Sequence, residues 1–395
     1  MAAAPPGVGR AAGRLIGYYL ALAGIGLAAS VLGPTLPGLA AQTGTTLSGI
    51  SFLFVARTAG YLSGSWVVGR LYDRLPGHPI MAGAAGLLAL GLLLSPLVPW
   101  LWVLAVVMMA IGAAEAGIDL GSNTLLVWTY RDRVGPYMNG LHFAFGVGAF
   151  LAPLIVERAL AWGNGISWAY WIMALLVLPP ALWLLRWPSP AAQNAPAAAA
   201  PAPVRAGLVA LLAACFFFYV GAETGYGAWL FSYARAIGLT EPSTGAFLTS
   251  AFWGAITLGR LASIPLAARL RPRTILTLDL LGSLASASLA AFAPGRPWVL
   301  WVSAIGTGLC LASFFPTLLS FASRRVALTG RINSLFFIGA NLGNMALPWL
   351  IGQWFEPVGA WVMPAVVLAG LALDSAAFAA LVVLAPAPTP AAGQG

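Results

Sequence analysis

Phe54–Met81 reads FVARTAGYLSGSWVVGRLYDRLPGHPIM, and far downstream Phe252–Leu276 reads FWGAITLGRLASIPLAARLRPRTIL. Each is an apolar run broken by small residues and closed by a basic end. A second pair follows the same rule: Asn123–Arg133 (NTLLVWTYRDR) with a later FGVGA returns as Pro316–Arg325 (PTLLSFASRR) with a later FFIGA. The chain is therefore duplicated, and the repeated unit is too apolar to face water.

Working outward, cuts at charges, Pro and Gly give spans near 15–37, 48–70, 79–99, 101–130, 136–156 and 167–187, then 206–232, 243–266, 274–293, 297–322, 332–355 and 361–385. Each is close to the ~20 residues that cross a bilayer as a helix. The fold class expected is an all-α membrane protein of twelve transmembrane helices in two pseudo-symmetric six-helix bundles, residues 1–187 and 206–395. Residues 188–205, containing SPAAQNAPAAAAPAP, read as an Ala/Pro-rich linker. The apolar stretch at 15–36, preceded by Arg10 and Arg14, is too long for a signal peptide's core and counts as the first span.

Composition agrees. Of 395 residues 60% are hydrophobic and 7% charged, against roughly a quarter charged in soluble domains. The net charge of +9 comes from arginine alone, since lysine is absent. Those arginines are dispersed between apolar runs, which argues against a nucleic-acid partner, because such binding needs a clustered basic face. Their placement gives orientation. Fourteen, Arg10, Arg14, Arg70, Arg74, Arg131, Arg133, Arg186, Arg205, Arg269, Arg271, Arg273, Arg324, Arg325 and Arg331, fall on one side, against Arg158, Arg235 and Arg296 on the other. The positive-inside rule then puts both termini and the linker in the cytoplasm of a cell with this protein in its inner or plasma membrane. Cys215 and Cys310 lie within apolar runs and suggest neither disulfide nor metal site. No hydrolytic triad, phosphate loop, metal cluster or cofactor site is legible, so no enzyme is expected.

Gly69, Asp73 and Arg74 after the second span match the G-x-x-x-D-R signature of the major facilitator superfamily, although Pro76, Gly77 and His78 replace its usual closing basic pair. The resemblance implies a latch between conformational states, with Gly69 expected to let helix ends approach closely. Within that superfamily the chain resembles the fucose-proton symporter and sodium-dependent glucose transporter-like branch. That likeness rests on GIDLGSNTLLVW (Gly117–Trp128), NGLHFAFGVGAFLAP (Asn139–Pro153), GAETGYGAWLFSYA (Gly221–Ala234), SFFPTLLS (Ser313–Ser320) and LPWLIGQ (Leu347–Gln353). It implies alternating access, a solute site near the midplane between the halves, and a proton or sodium ion as the coupling species.

Ionisable groups at mid-bilayer cost at least ~2.5 kcal/mol on insertion scales and need a partner or a wet cavity. Glu115, Asp119 and Asn123 recur every fourth residue on the fourth span and share a face. In the resembled branch an acid followed four positions later by Asn contacts sugar hydroxyls and takes up the proton; Asp119 and Asn123 match, while Glu115 departs from the small residue more usual there. Arg57 on the second span has Glu115 or Asp119 as its counter-ion, either as a fixed lock or as an ion-released coupling element. On the seventh span Glu223 lies among glycines with Tyr226 and Trp229, a composition suited to a sugar platform, although aromatics there equally serve packing. Asn341 and Asn344 share a face of the eleventh span, where they either bind hydroxyls or join helices. Arg260 and Asp374 read as structural, and Asp279 as lying near the membrane edge.

The function expected is secondary active import of a monosaccharide with a proton or sodium ion, by a monomer embedded in lipid. Two alternatives stand beside it. One is a proton-coupled exporter of drugs or metabolites, suggested by GVGAFLAP in the fifth span. The other is a non-transporting membrane sensor, against which the short termini argue.

Overall fold

The computed structural model describes residues 8–163, 165–190, 206–238, 242–293, 295–326 and 329–384. Most of the expected linker, residues 191–205, lies outside these, as does the Arg10 side chain. Helices α1 (Val8–Thr43), α2 (Leu47–Ile50), α3 (Phe52–Tyr72), α4 (Gly77–Leu94), α5 (Leu101–Tyr130), α6 (Gly135–Ala161) and α7 (Ser167–Leu184) precede the linker. After it come α8 (Ala206–Ala236), α9 (Pro242–Arg269), α10 (Pro272–Phe292), α11 (Pro297–Leu311), α12 (Phe314–Ser323), α13 (Gly330–Val358) and α14 (Val362–Leu384). No strand occurs among the described residues.

Eleven segments there are long and apolar enough to cross a membrane, with α11 and α12 together forming one of them. The twelfth crossing is α3, which has 21 residues. It carries Arg57, Arg70 and two serines, which make it the least apolar of the set.

The chain divides into two compact units, residues 1–194 with 239–254, and residues 195–238 with 255–395. Inside each, the packing repeats. In the first, α1 packs on α6, α3 on α5 and α4 on α7; in the second, α8 packs on α13 and α10 on α14. Small residues let helices approach closely in both units. A Cβ added to Gly64 on α3 would lie 2.6 Å from the Ala113 Cα on α5. One added to Gly259 on α9 would lie 2.6 Å from the Ala312 Cβ beside α11. Backbones meet there, as close-packed membrane helices require.

Two boundaries differ from the sequence reading. The first span does not stop at Pro37: α1 runs through Pro34 and Pro37 to Thr43. Thr35 between them donates its hydroxyl to the Val31 carbonyl at 2.8 Å, and membrane helices tolerate such prolines inside a packed bundle. The tenth span is not one helix. It breaks between Leu311 and Phe314, where α12 begins with Ser313 as its N-cap residue and Pro316 in its first turn, a position proline tolerates.

Candidate solute and ion site

In the first unit a two-rung polar ladder joins α3 to α5. Arg57 and Tyr61 are one turn apart on α3, and Glu115 and Asp119 are one turn apart on α5, so both rungs close in the same register. Arg57 donates from Nε to Glu115 Oε2 at 2.9 Å and from Nη2 to Glu115 Oε1. Its Nη1 donates to the Ala29 carbonyl on α1 at 3.3 Å. Three helices are thus tied by one guanidinium, and Glu115 is the buried partner. A fork of this kind satisfies a buried carboxylate as a point charge would not.

The second rung is neutral on the donor side. Tyr61 donates its hydroxyl to Asp119 Oδ2 at 2.5 Å, and Asn123 Nδ2 donates to Asp119 Oδ1 at 2.8 Å and to the Asp119 carbonyl at 2.9 Å. Asp119 and Asn123 are half-buried. Of the two counter-ions the sequence left open for Arg57, the structure selects Glu115, leaving Asp119 as an acid with no arginine bound to it. Its oxygens keep lone pairs for a proton, a sodium ion or a ligand hydroxyl. Tyr61 was missed from sequence, although its place one turn beyond Arg57 was a signal of the same kind that picked Glu115 and Asp119.

In the second unit Glu223 on α8 accepts from the Tyr219 hydroxyl, and its Oε1 lies 3.7 Å from Arg260 Nη2 on α9. Arg260, read as structural, therefore belongs to this cluster. Tyr219 is fully buried and stacks on Phe314, with ring centroids 4.8 Å apart, at the break between α11 and α12. Asp279 on α10 is buried rather than close to water, and accepts from Ser313 at the same break at 2.6 Å.

The remaining residues named from sequence have partners of their own. Trp229 donates Nε1 to the Pro348 carbonyl at 2.8 Å and packs on Phe355, while Tyr226 shares a 2.8 Å hydrogen bond with Ser303 on α11. Both are fully buried in helix seams, so their polar edges are committed to protein partners. Asn341 donates to the Phe337 carbonyl of its own helix at 2.9 Å, and Asn344 is half-buried on the same helix. Asp73 ends α3, its N–H bonded to the Gly69 carbonyl at 3.3 Å, and Asp73 and Arg74 are exposed. The close approach expected at Gly69 is not made there: an added Cβ would meet only Leu120 Cδ2, at 3.7 Å. On α3 that role falls to Gly60 and Gly64. Among the described residues no group of three His, Cys, Asp or Glu is arranged to hold a metal ion.

Comparison with known proteins bears on what these clusters serve. The family model for the Major Facilitator Superfamily matches residues 18–348. The chain is 33% identical over 374 residues to the sodium-dependent glucose transporter 1A of Mus musculus, covering 85% of this chain and 88% of that protein. It is 31% identical to the sodium-dependent glucose transporter 1 of Homo sapiens, with 83% and 71% covered. Among solved structures, a mutant of the nucleoside transporter NupG superposes with TM-score 0.73 at 14% identity, over 94% of this chain and 99% of that one. A bacterial homolog to the human lysosomal transporter Spinster, inward-facing and occupied, gives 0.71 at 14% identity, with 94% and 95% covered. A duplicated twelve-helix architecture, membrane acids held by paired donors and these relatives converge: the chain belongs to the Major Facilitator Superfamily, as an integral multi-pass transporter of small-molecule solutes and not an enzyme.

Proposed function

We propose that this transporter imports a monosaccharide in symport with a cation, a proton or a sodium ion, by alternating access, with Asp119 as the residue that senses both. The observation carrying this reading is the contrast between adjacent rungs. Glu115 is neutralised by Arg57, whereas Asp119, four residues on, is half-buried and held only by neutral donors. A carboxylate of this kind accepts hydrogen bonds from vicinal sugar hydroxyls and binds a proton or a sodium ion as its counter-charge. The kinship with sodium-dependent glucose transporters supports the sugar and the cation alike.

Glu223 with Arg260 is the second candidate contact, and Gly69, Asp73 and Arg74 the latch. The arginine distribution supports cytoplasmic termini in an inner or plasma membrane, and two repeated halves in one chain support a working monomer. The test is uptake of a hexose panel into proteoliposomes under separately imposed proton and sodium gradients. Accumulation under one gradient, lost in Asp119→Asn while solute exchange at equilibrium persists, is the expected result. Absence of uptake of every hexose under both gradients would overturn the sugar reading; full accumulation by Asp119→Asn would overturn the role given to that residue.

A further inference from the structure

Among the described residues the second unit buries three acids, Glu223, Asp279 and Asp374, and one arginine is paired among them, Arg260. Glu223 takes that arginine and Tyr219; Asp279 takes Ser313. Asp374 takes nothing comparable. It stands halfway along α14 with no exposed surface, and neither carboxyl oxygen has an oxygen or nitrogen hydrogen-bond partner. The helices packed on α14 are α8, α10 and α13. From α8 the Cys215 thiol faces it as a weak donor, and among the described residues no ion pair reaches it. The acids nearest in sequence terms on α8 and α10, Glu223 and Asp279, are engaged elsewhere.

An ionised carboxylate in such a place would be a bare charge in oil, with a penalty far above that of the neutral acid. Sodium is a poor answer, because it needs several oxygen ligands and a thiol is the neighbour here. A proton needs none. As a permanent filler, a neutral acid held only by a weak thiol contact is inferior to leucine, so packing gives no reason for an aspartate. We propose that Asp374 is a proton-binding site of the second unit, protonated in the conformation described and exchanging that proton with water when α14 and α8 separate during the transport cycle. The proton leaves as the carboxyl meets water and one returns to the same oxygen before the seam closes, so no other group changes state. The exchange step rests on the transport reading above; the protonated state does not.

Infrared spectroscopy of the full chain in lipid bilayers tests both parts. Expected is a carboxylic-acid C=O stretch at neutral pH that is displaced in Cys215→Ala, disappears in Asp374→Asn, and shifts in heavy water on the timescale of conformational cycling. A wild-type spectrum whose acid bands ignore Cys215→Ala would overturn the protonated state, and this holds even where Asp374→Asn fails to fold. A band that never shifts in heavy water would overturn the exchange. Normal exchange in a protein that moves no hexose would count against the sugar reading alone.

Discussion

The two units solve the same problem, acids in a membrane, in opposite ways. In the first, one strong lock carries the charge: Arg57 grips Glu115 through two N–H groups and leaves Asp119 to neutral donors. In the second no lock is so complete. Arg260 stands 3.7 Å from Glu223, Asp279 has a single serine, and Asp374 has no oxygen or nitrogen partner. Repeated architecture therefore does not mean repeated electrostatics. The first unit concentrates rigidity beside one titratable acid, and the second spreads polar groups around the broken span α11–α12.

The sharpest way to break this contrast is Arg57→Ala. Stranding the buried Glu115 should cost about 3–5 kcal/mol, read as a loss of thermal stability in detergent, and Arg57→Met combined with Glu115→Leu should recover most of it. A single variant as stable as the wild type would mean that no lock exists. Next, Tyr61→Phe removes a hydrogen bond to a charged acceptor, worth about 1.5–3 kcal/mol. It should also change the cation dependence of uptake, because the remaining donor is Asn123; unchanged ion dependence would detach Asp119 from coupling. Arg260→Gln loosens a 3.7 Å contact to a buried Glu223 that keeps its Tyr219 donor, and should cost about 1–3 kcal/mol, less than Arg57→Ala. A loss as large as that of Arg57→Ala would erase the difference between the units. Smallest of all, Gly69→Ala meets only Leu120 and should leave melting unchanged or raise it slightly, by up to about 1 kcal/mol from helix propensity, whereas Gly64→Ala should lower it.

The architecture was legible because hydropathy and duplication are written along the chain. Even α3, the least apolar crossing, was marked out by cuts at charges, Pro and Gly, and its likeness to Phe252–Leu276 agreed. What escaped the sequence depends on register between helices. Glu115 and Asp119 are equivalent partners for Arg57 on paper; the choice follows from the close backbone contacts at Gly60, Gly64 and Gly112, which fix how α3 meets α5. The break before α12 was invisible to hydropathy, since Phe314 and Phe315 are as apolar as any helix interior, although Pro316 marked the place. Trp229 and Tyr226 looked like a platform because composition does not say which way a ring edge turns, and both edges turn into seams with α13 and α11.

Arg57 and Glu115 are separated by 58 residues of chain, and that interval matters while the protein is being made. At about 5–20 residues per second, the second crossing leaves the ribosome roughly 3–12 seconds before the fourth. For that time it presents an unneutralised guanidinium on the weakest of the twelve segments. The insertion cost of that guanidinium, at least ~2.5 kcal/mol, is thus offset only once α5 arrives with its carboxylate.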